Sequence, residues 1–310
     1  MAHYLVTGGA GFIGSNIVKK LVEKGEQVTV VDSLVTGRKE NIAPYLKKIK
    51  FINADLAEQK VAMKATQKVD YVLHQAAIPS VPRSIDNPID TNDANINGTL
   101  QLLVAAKENG VKRLVYASSS SIYGDQDPSH PKVETMPVRP KSPYGLQKYT
   151  AERYCQLFCE LYGLETVCLR YFNVFGPNQD PTSEYAAVIP KFIKAIVKDE
   201  APTILGDGKT SRDFTFVENN VYANILAATS AEGAGEVFNI ATGNSISLLD
   251  LVNSINKILG KNSKAAHAAE RAGYIKHSWA DISKAEKFLG YKPIVSFEEG
   301  LRQTIEYYKN

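Results

Sequence analysis

The 310 residues carry 36 Lys and Arg against 33 Asp and Glu, a net charge of +3, and 44% of them are hydrophobic. A chain of that length buries an ample core without disulfides or metals, and its interspersed charges form no basic stripe for nucleic acid. A strand begins by His3 with no room for a signal peptide, no apolar run approaches the roughly eighteen residues of a membrane span, and Cys155, Cys159 and Cys168 show no metal spacing, so the expectation is a cytoplasmic protein with reduced thiols and with no metal, nucleic-acid or membrane partner.

His3 to Val6 reads as a strand that runs into Thr7-Gly8-Gly9-Ala10-Gly11-Phe12-Ile13-Gly14, after which Ile13, Ile17, Val18 and Leu21 recur at helical spacing. Gly8, Gly11 and Gly14 let the backbone turn sharply and approach a pyrophosphate, which then rests on helix N–H groups and the positive end of the dipole. Val28 to Val31 is a second strand ending in Asp32. An acidic residue about twenty positions past such glycines can hold both ribose hydroxyls of NAD and repels the extra phosphate of NADP. Ser33 to Lys39 reads as a loop and Ile49 to Ile52 as a third strand, with Asp55-Leu56 at its exit and Asp55 where an adenine would lie. Val69 to His74 is a fourth strand, and the small Ala76-Ala77 follow at its carboxyl end, where a ligand needs backbone to come close. His74 has no second ligand or nucleophile nearby and reads as a packed strand residue.

A loop with Pro79, Pro82 and Pro88 leads to a long helix from Asn95 to Lys107, and Val111 to Ala117 is a fifth strand. This alternation implies parallel βαβ units with right-handed crossovers, so the expected fold is α/β, a doubly wound parallel sheet of the Rossmann kind with a smaller α/β substrate-binding lobe. No repeat or linker separates them. The expected division is residues 1–172 for the NAD-binding domain and 173–310 for the lobe, with some segments returning to the sheet.

The fifth strand runs into the hydroxyl cluster Ser118-Ser119-Ser120-Ser121. Ser142-Pro143-Tyr144 then opens a helix that reaches about Tyr162, with Pro near its first turn. Tyr144 and Lys148 are four apart and project from one face, with Cβ atoms roughly 5–6 Å apart. A free tyrosine has a pKa of about 10, and bringing it near 7 takes about 4 kcal/mol of preference for the anion. A lysine ammonium and the positive charge of an oxidised nicotinamide can supply that in a partly dry cleft. The pair then forms a general base for an alcohol proton, and a neighbouring serine can hold the substrate oxygen or relay the proton. In the second half, Ala186 to Val197, Val221 to Ala228 and Leu248 to Leu259 read as helices, and Pro202 to Leu205 and Arg212 to Val217 as strands.

At these residues the chain resembles the extended short-chain dehydrogenase/reductase superfamily, and within it the UDP-sugar 4-epimerases. The resemblance covers essentially the whole chain. It is carried by Thr7-Gly8-x-x-Gly11-x-x-Gly14, Asp32, Asp55-Leu56, His74-Gln75-Ala76-Ala77, Asn95-x-Asn97-Gly98-Thr99, the serine cluster, Tyr144-x-x-x-Lys148, Arg170-Tyr171-Phe172-Asn173, Arg212-Asp213 and Arg271-x-Gly273. Aligning back from Tyr123-Gly124 puts the family's catalytic hydroxyl on Ser119, within a run of four serines. The resemblance implies that Tyr144 is the base and that Lys148 grips the nicotinamide ribose. It also implies that Asn95 and Tyr171 lie near the cofactor, and that Phe12, Ile13, Ser33, Leu56 and Gln75 complete its site.

Asn173, the Ala187-Val188 backbone, Arg212 and Arg271 would contact the nucleotide sugar, with the two arginines facing its diphosphate, a match for the guanidinium fork. The chain departs from the family at Tyr274, where an acidic residue usually touches the ribose, and at Glu218-Asn219-Asn220, where Glu-Asp-Val is usual. The family also implies a homodimer through a four-helix bundle, and the helices near Asn95–Lys107 and Tyr149–Leu161 carry the apolar residues Leu100, Leu103, Val104, Tyr154, Leu157, Phe158 and Leu161.

The implied activity is reversible C4 epimerisation of a UDP-hexose by transient oxidation to a 4-keto sugar with tightly bound NAD. Related dehydratases and decarboxylases place a carboxylate beside the serine cluster, which Ser119-Ser120-Ser121 lacks. A one-way nucleotide-sugar dehydrogenase and a non-catalytic NAD-binding relative are the other readings, although relatives that lose the chemistry usually lose the Tyr-x-x-x-Lys pair. In glucose/galactose-restricted relatives a bulky tyrosine tends to precede Trp-Ala-Asp; here Ser278 precedes Trp279-Ala280-Asp281, and Ser121, Asn173, Gln179 and Ala187 resemble the walls of epimerases for N-acetylated sugars. UDP-GlcNAc and UDP-GalNAc are therefore the expected pair, with UDP-glucose and UDP-galactose as the alternative.

Overall fold

The computed structural model describes residues 1–181, 187–269 and 277–309. Strand β1 (His3–Thr7) runs into helix α1 (Phe12–Glu23), then β2 (Gln27–Asp32), and a 3₁₀ stretch over Lys39–Tyr45 precedes β3 (Lys50–Asn53). Helix α2 (Gln59–Ala65) leads to β4 (Tyr71–His74). The proline-rich segment expected to be a loop contains two short helices, α3 (Val81–Asp86) and α4 (Pro88–Asn92). Pro82 and Pro88 fall in first turns, where a missing N–H leaves nothing unpaired, and Ser80 Oγ caps α3 by accepting from Arg83 N at 3.1 Å. A π-type turn over Asp93–Asn97 continues into α5 (Gly98–Glu108). Strand β5 (Arg113–Ser119), a 3₁₀ turn at Ser120–Tyr123, α6 (Pro143–Tyr162) and β6 (Glu165–Tyr171) follow. Ser142 Oγ accepts from Gly145 N at 3.1 Å to cap α6, and Gly163 at φ 69° ends it in the left-handed conformation that glycine tolerates.

The remaining elements are β7 (Val174–Phe175), α7 (Val188–Val197), β8 (Thr203–Leu205), β9 (Ser211–Arg212), β10 (Thr215–Phe216), α8 (Val217–Thr229) and β11 (Val237–Ile240). After them come β12 (Ile246–Ser247), α9 (Leu248–Leu259), β13 (Ala266–Ala268), β14 (His277–Ser278), α10 (Ser283–Leu289) and α11 (Phe297–Lys309).

Seven parallel strands form the main sheet in the order β11-β6-β5-β4-β1-β2-β3. Apolar runs such as Val28 to Val31 suit it, because the inner strands are buried on both faces. Residues of α1 and α8 pack on one side, and those of α2, α5 and α6 on the other. The strand order reverses between β1 and β4, and that switch opens a crevice at the carboxyl ends. A separate core of Phe175, Phe214, Phe216 and Phe297 with residues of α7, α9 and α11 fills the second lobe, while α8, β11 and α10 pack on the main sheet.

The single strand expected over Arg212 to Val217 is two short pairings instead. The buried Asp213 carboxylate between them accepts from Thr242 N, Thr242 Oγ1 and Gly243 N at 2.7–3.0 Å, so a side chain takes the place of ladder bonds. Helix α8 begins at Val217, earlier than expected, and its first turn buries the polar Asn219 and Asn220. Ala186, the expected start of α7, lies outside the described residues. His74 is buried between the hydroxyls of Thr7 at 2.6 Å and Thr99 at 2.9 Å, and burial pushes its pKa down to about 3, so the ring is neutral.

Leu103 and Phe158, expected among surplus surface residues, pack inside this chain, whereas Leu161 is exposed. Among the described residues no cluster of His, Cys, Asp or Glu could hold a metal, and no helix is long and apolar enough to cross a membrane.

Asn219 explains one departure from the family pattern. Its Nδ2 donates to Val295 O at 2.8 Å, and its Oδ1 accepts from Ile294 N and Val295 N at 2.8 and 3.0 Å, pinning the segment before α11. Asn219→Ala should cost about 2–4 kcal/mol in denaturant unfolding, since it strands buried backbone groups.

Candidate active site

Glycine at 8 and 14 is required by packing, and a Cβ on Gly11 would press against Gly8 O at 3.1 Å. A Cβ on Gly14 would stand 2.1 Å from Gly8 O, and one on Gly8, at φ 65°, would stand 2.7 Å from Ala76 N. These contacts draw the β1–α1 turn against the end of β4. Gly11 then opens α1 with no side chain capping it, so the first turn presents backbone to the cleft. Asp32 closes the adjacent strand. Its Oδ2 accepts from Ala10 N at 2.9 Å and its Oδ1 from Leu34 N at 2.8 Å, and a Cβ on Gly37 would collide with it at 2.6 Å. Burial raises its pKa while those backbone N–H groups hold it down.

The cleft so formed has a volume of about 460 Å³ and is lined by Gly8, Gly11, Phe12, Ile13, Gly14, Asp32, Ser33, Asp55, Leu56, Gln75, Ala76, Ala77, Tyr144, Lys148 and Tyr171. A turn with no room for a side chain at Gly8 and Gly14, an uncapped helix start and the fixed Asp32 carboxylate at the end of the next strand fit a dinucleotide. Asn95 is the exception among the expected cofactor residues, since it does not border the cleft. It is buried, with Oδ1 accepting from Ile78 N at 2.8 Å and Nδ2 donating to Ile78 O and to Gln147 Oε1, so it clamps the wall behind.

A second hollow of about 440 Å³ joins the first and is lined by Ser118 to Ser121, Tyr144, Asn173, Arg212 and Ser278. Arg212 and Ser278 face each other across the β9–β14 pairing. Val188 lies in a third, open groove of about 1000 Å³, whereas Gln179 and Ala187 border the dinucleotide cleft. Tyr144 and Pro79 border all three hollows. Arg271 and Tyr274 lie outside the described residues. Two polar atoms on these walls, Ser121 Oγ and Gln179 Oε1, are buried without a hydrogen-bond partner.

Tyr144 and Lys148 are brought together as their spacing requires, but their electrostatics differ from the expectation. Lys148 Nζ donates to Ala117 O at 2.9 Å and lies 5.0 Å from the Tyr116 ring centroid and 6.0 Å from that of Tyr144. Burial pushes Lys148 down to about 8 and Tyr144 up to about 12, against which a hydrogen bond from the Ser119 side chain pulls the phenol down. Desolvation therefore outweighs the Ser119 side chain. Nothing in the i,i+4 spacing could reveal this, because it depends on how deeply α6 seats against β5.

Sequence reasoning missed Asn224, a buried residue of α8. Its Nδ2 donates to Tyr171 OH at 2.6 Å, its Oδ1 accepts from Gln75 Nε2 at 3.0 Å, and Tyr171 OH donates to Gln75 Oε1 at 3.3 Å. This closed triangle fixes two cleft residues. Its position in a helix of the second half hid it.

A family model described as the NAD dependent epimerase/dehydratase family matches residues 4–241. A putative UDP-glucose 4-epimerase of Methanocaldococcus jannaschii is 40% identical over 99% of this chain and 98% of its own length. Among solved structures, a UDP-N-acetylglucosamine 4-epimerase from Methanobrevibacter ruminantium M1, in complex with UDP-N-acetylmuramic acid, is 43% identical with a TM-score of 0.94 over 99% of this chain and 98% of that one. A Thermus thermophilus UDP-glucose 4-epimerase complexed with NAD is 35% identical with a TM-score of 0.90 over 99% of each chain.

Proposed function

Starting from the premise that this chain belongs to the NAD dependent epimerase/dehydratase family, we propose that it is a cytoplasmic UDP-sugar 4-epimerase that accepts UDP-GlcNAc and UDP-GalNAc. The observation that carries the choice of sugar is Ser278. It is a small wall residue in the hollow that Ser119 and the unpartnered hydroxyl of Ser121 also line, and it leaves room and hydrogen-bonding capacity for an acetamido group. The free thiols of Cys155 and Cys168, both buried, suit a reducing compartment.

Gly8, Gly11, Gly14, Asp32 and Lys148 would hold the NAD. The chemistry supplied by bound NAD is reversible two-electron acceptance from the sugar carbon, together with a positive charge on its oxidised ring. Tyr144 takes the proton of the C4 hydroxyl while Ser119 holds the same oxygen. Bringing the phenol from about 12 to about 7 needs roughly 7 kcal/mol of preference for phenolate. A lysine charge at the 6.0 Å that separates Lys148 Nζ from the ring centroid would contribute at most about 3 kcal/mol at an effective dielectric of about 20. A second cation is thus needed, so the base is strongest only when the oxidised cofactor is in place. The 4-keto sugar turns over within the hollow while Arg212, with Arg271, keeps its diphosphate anchored. Tyr144 then returns the proton to the new alcohol. A one-way dehydrogenase would need no such space for the sugar to turn.

The helices α5 and α6 present Leu100, Val104, Tyr154 and Leu157 half-buried and Leu161 66% exposed, a stripe that a second copy of the chain covers as a four-helix bundle.

Incubation with UDP-GlcNAc and with UDP-glucose separately, without added cofactor, should yield UDP-GalNAc from the first; a protein inert toward UDP-GlcNAc overturns the choice of sugar. Tyr144→Phe should keep the fold and cofactor while turnover falls about 10²–10⁴-fold. Ser278→Tyr should suppress action on UDP-GlcNAc and spare UDP-glucose, and equal loss on both would show that Ser278 is no C2 wall. Light scattering at micromolar concentration should report a dimer.

A further inference from the structure

Tyr144, Lys148 and Glu152 stand four residues apart along α6 and so share one helix face. Each meets a different residue at the end of β5. The Ser119 side chain shares a hollow with Tyr144 and pulls the phenol's pKa down, Lys148 Nζ donates to Ala117 O at 2.9 Å, and Ser118 Oγ donates to Glu152 Oε2 at 2.6 Å. Ala117 and Ser118 are thus tied by hydrogen bonds to two successive turns of the helix, and Ser119 lines one hollow with Tyr144 on the turn before them. Tyr144 and Lys148 border the cleft, but Glu152 borders none of the three hollows and is 1% exposed.

Glu152 is itself held from behind. Arg170 lies directly opposite Ser118 in the β5–β6 pairing, with Nη2 2.6 Å from Glu152 Oε1 and Nε 3.0 Å from Oε2. Arg170 Nη1 also donates to Tyr123 OH at 2.8 Å, and that hydroxyl donates to Asn239 Oδ1 of β11 at 2.6 Å. A bidentate carboxylate has one orientation, and its charge is matched by the guanidinium. Buried ion pairs are a weak source of stability, because apolar residues of equal volume often do as well; their contribution here is geometry.

We propose that Glu152 is a positioning residue of the reaction centre: through Ser118 it fixes the end of β5 so that the Ser119 hydroxyl meets the Tyr144 phenol in register. The inference rests on Tyr144 being the base. A loosened strand end weakens the Ser119 interaction that lowers the phenol's pKa, so the pKa rises and the base ionises only at higher pH. The titratable groups beside the phenol are Lys148 on its own helix and Tyr116 on β5, and both stay in place when Ser118 changes.

Ser118→Ala in the purified holoenzyme is the cleanest test, because it removes the link and leaves the Glu152–Arg170 pair whole. Turnover of UDP-GlcNAc should fall about tenfold with KM and bound NAD unchanged, and the rising limb of the kcat–pH profile should move to higher pH. Glu152→Gln should move the limb the same way and also lower Tm, since Arg170 loses its counter-charge. An unchanged kcat and pH limb in Ser118→Ala, whatever its Tm, overturns the proposal while an inactive Tyr144→Phe leaves the base reading intact. A fully active Tyr144→Phe removes both.

Discussion

The proposed reaction centre depends on two ionisable side chains, Tyr144 and Lys148, being taken out of water together. Burial alone moves them apart in the unhelpful direction, pushing the tyrosine up to about 12 and the lysine down to about 8. That cost has a use. In a dry site each added charge acts at low dielectric, so a cofactor's charge has leverage that it would lack at an exposed pair. The surrounding structure follows from keeping these groups dry and aligned: a parallel sheet covered on both faces, a helix seated along β5, and a second lobe that walls the open side.

Neutral polar networks do the aligning. His74 is held between two threonines, Asn95 clamps the Ile78 backbone, and Asn224 ties Tyr171 to Gln75. Each places a wall residue without adding net charge near the phenol. Only one charged pair, Glu152–Arg170, is buried with them among the described residues, and its two charges cancel.

The first half of the fold was legible in the sequence because its signals are local. Glycine spacing, a strand ending in Asp32 and a capped helix from Ser142 each state their structure within a dozen residues. What was not legible depended on distant contacts. Arg212 to Val217 looked like one strand, and only the meeting of Asp213 with Thr242 and Gly243 breaks it. Pro82 and Pro88 looked like loop residues, although proline is equally at home in a first helical turn. At the site, the i,i+4 pair was plain, but its depth of burial was not, nor was the role of Asn224 in a helix some eighty positions later in the chain.

The seventh strand of the sheet carries a consequence for biosynthesis. Strand β11 pairs along β6, yet it is separated from β6 by most of the first part of the second lobe. During translation β6 therefore emerges as a naked edge, a row of unpaired backbone groups in the apolar Thr166-Val167-Cys168-Leu169 segment, and it stays so until Val237 to Ile240 have left the ribosome. A nascent chain stalled between these points exposes a template for pairing with its neighbours. The sheet is thus finished only by a segment made after the second lobe has begun.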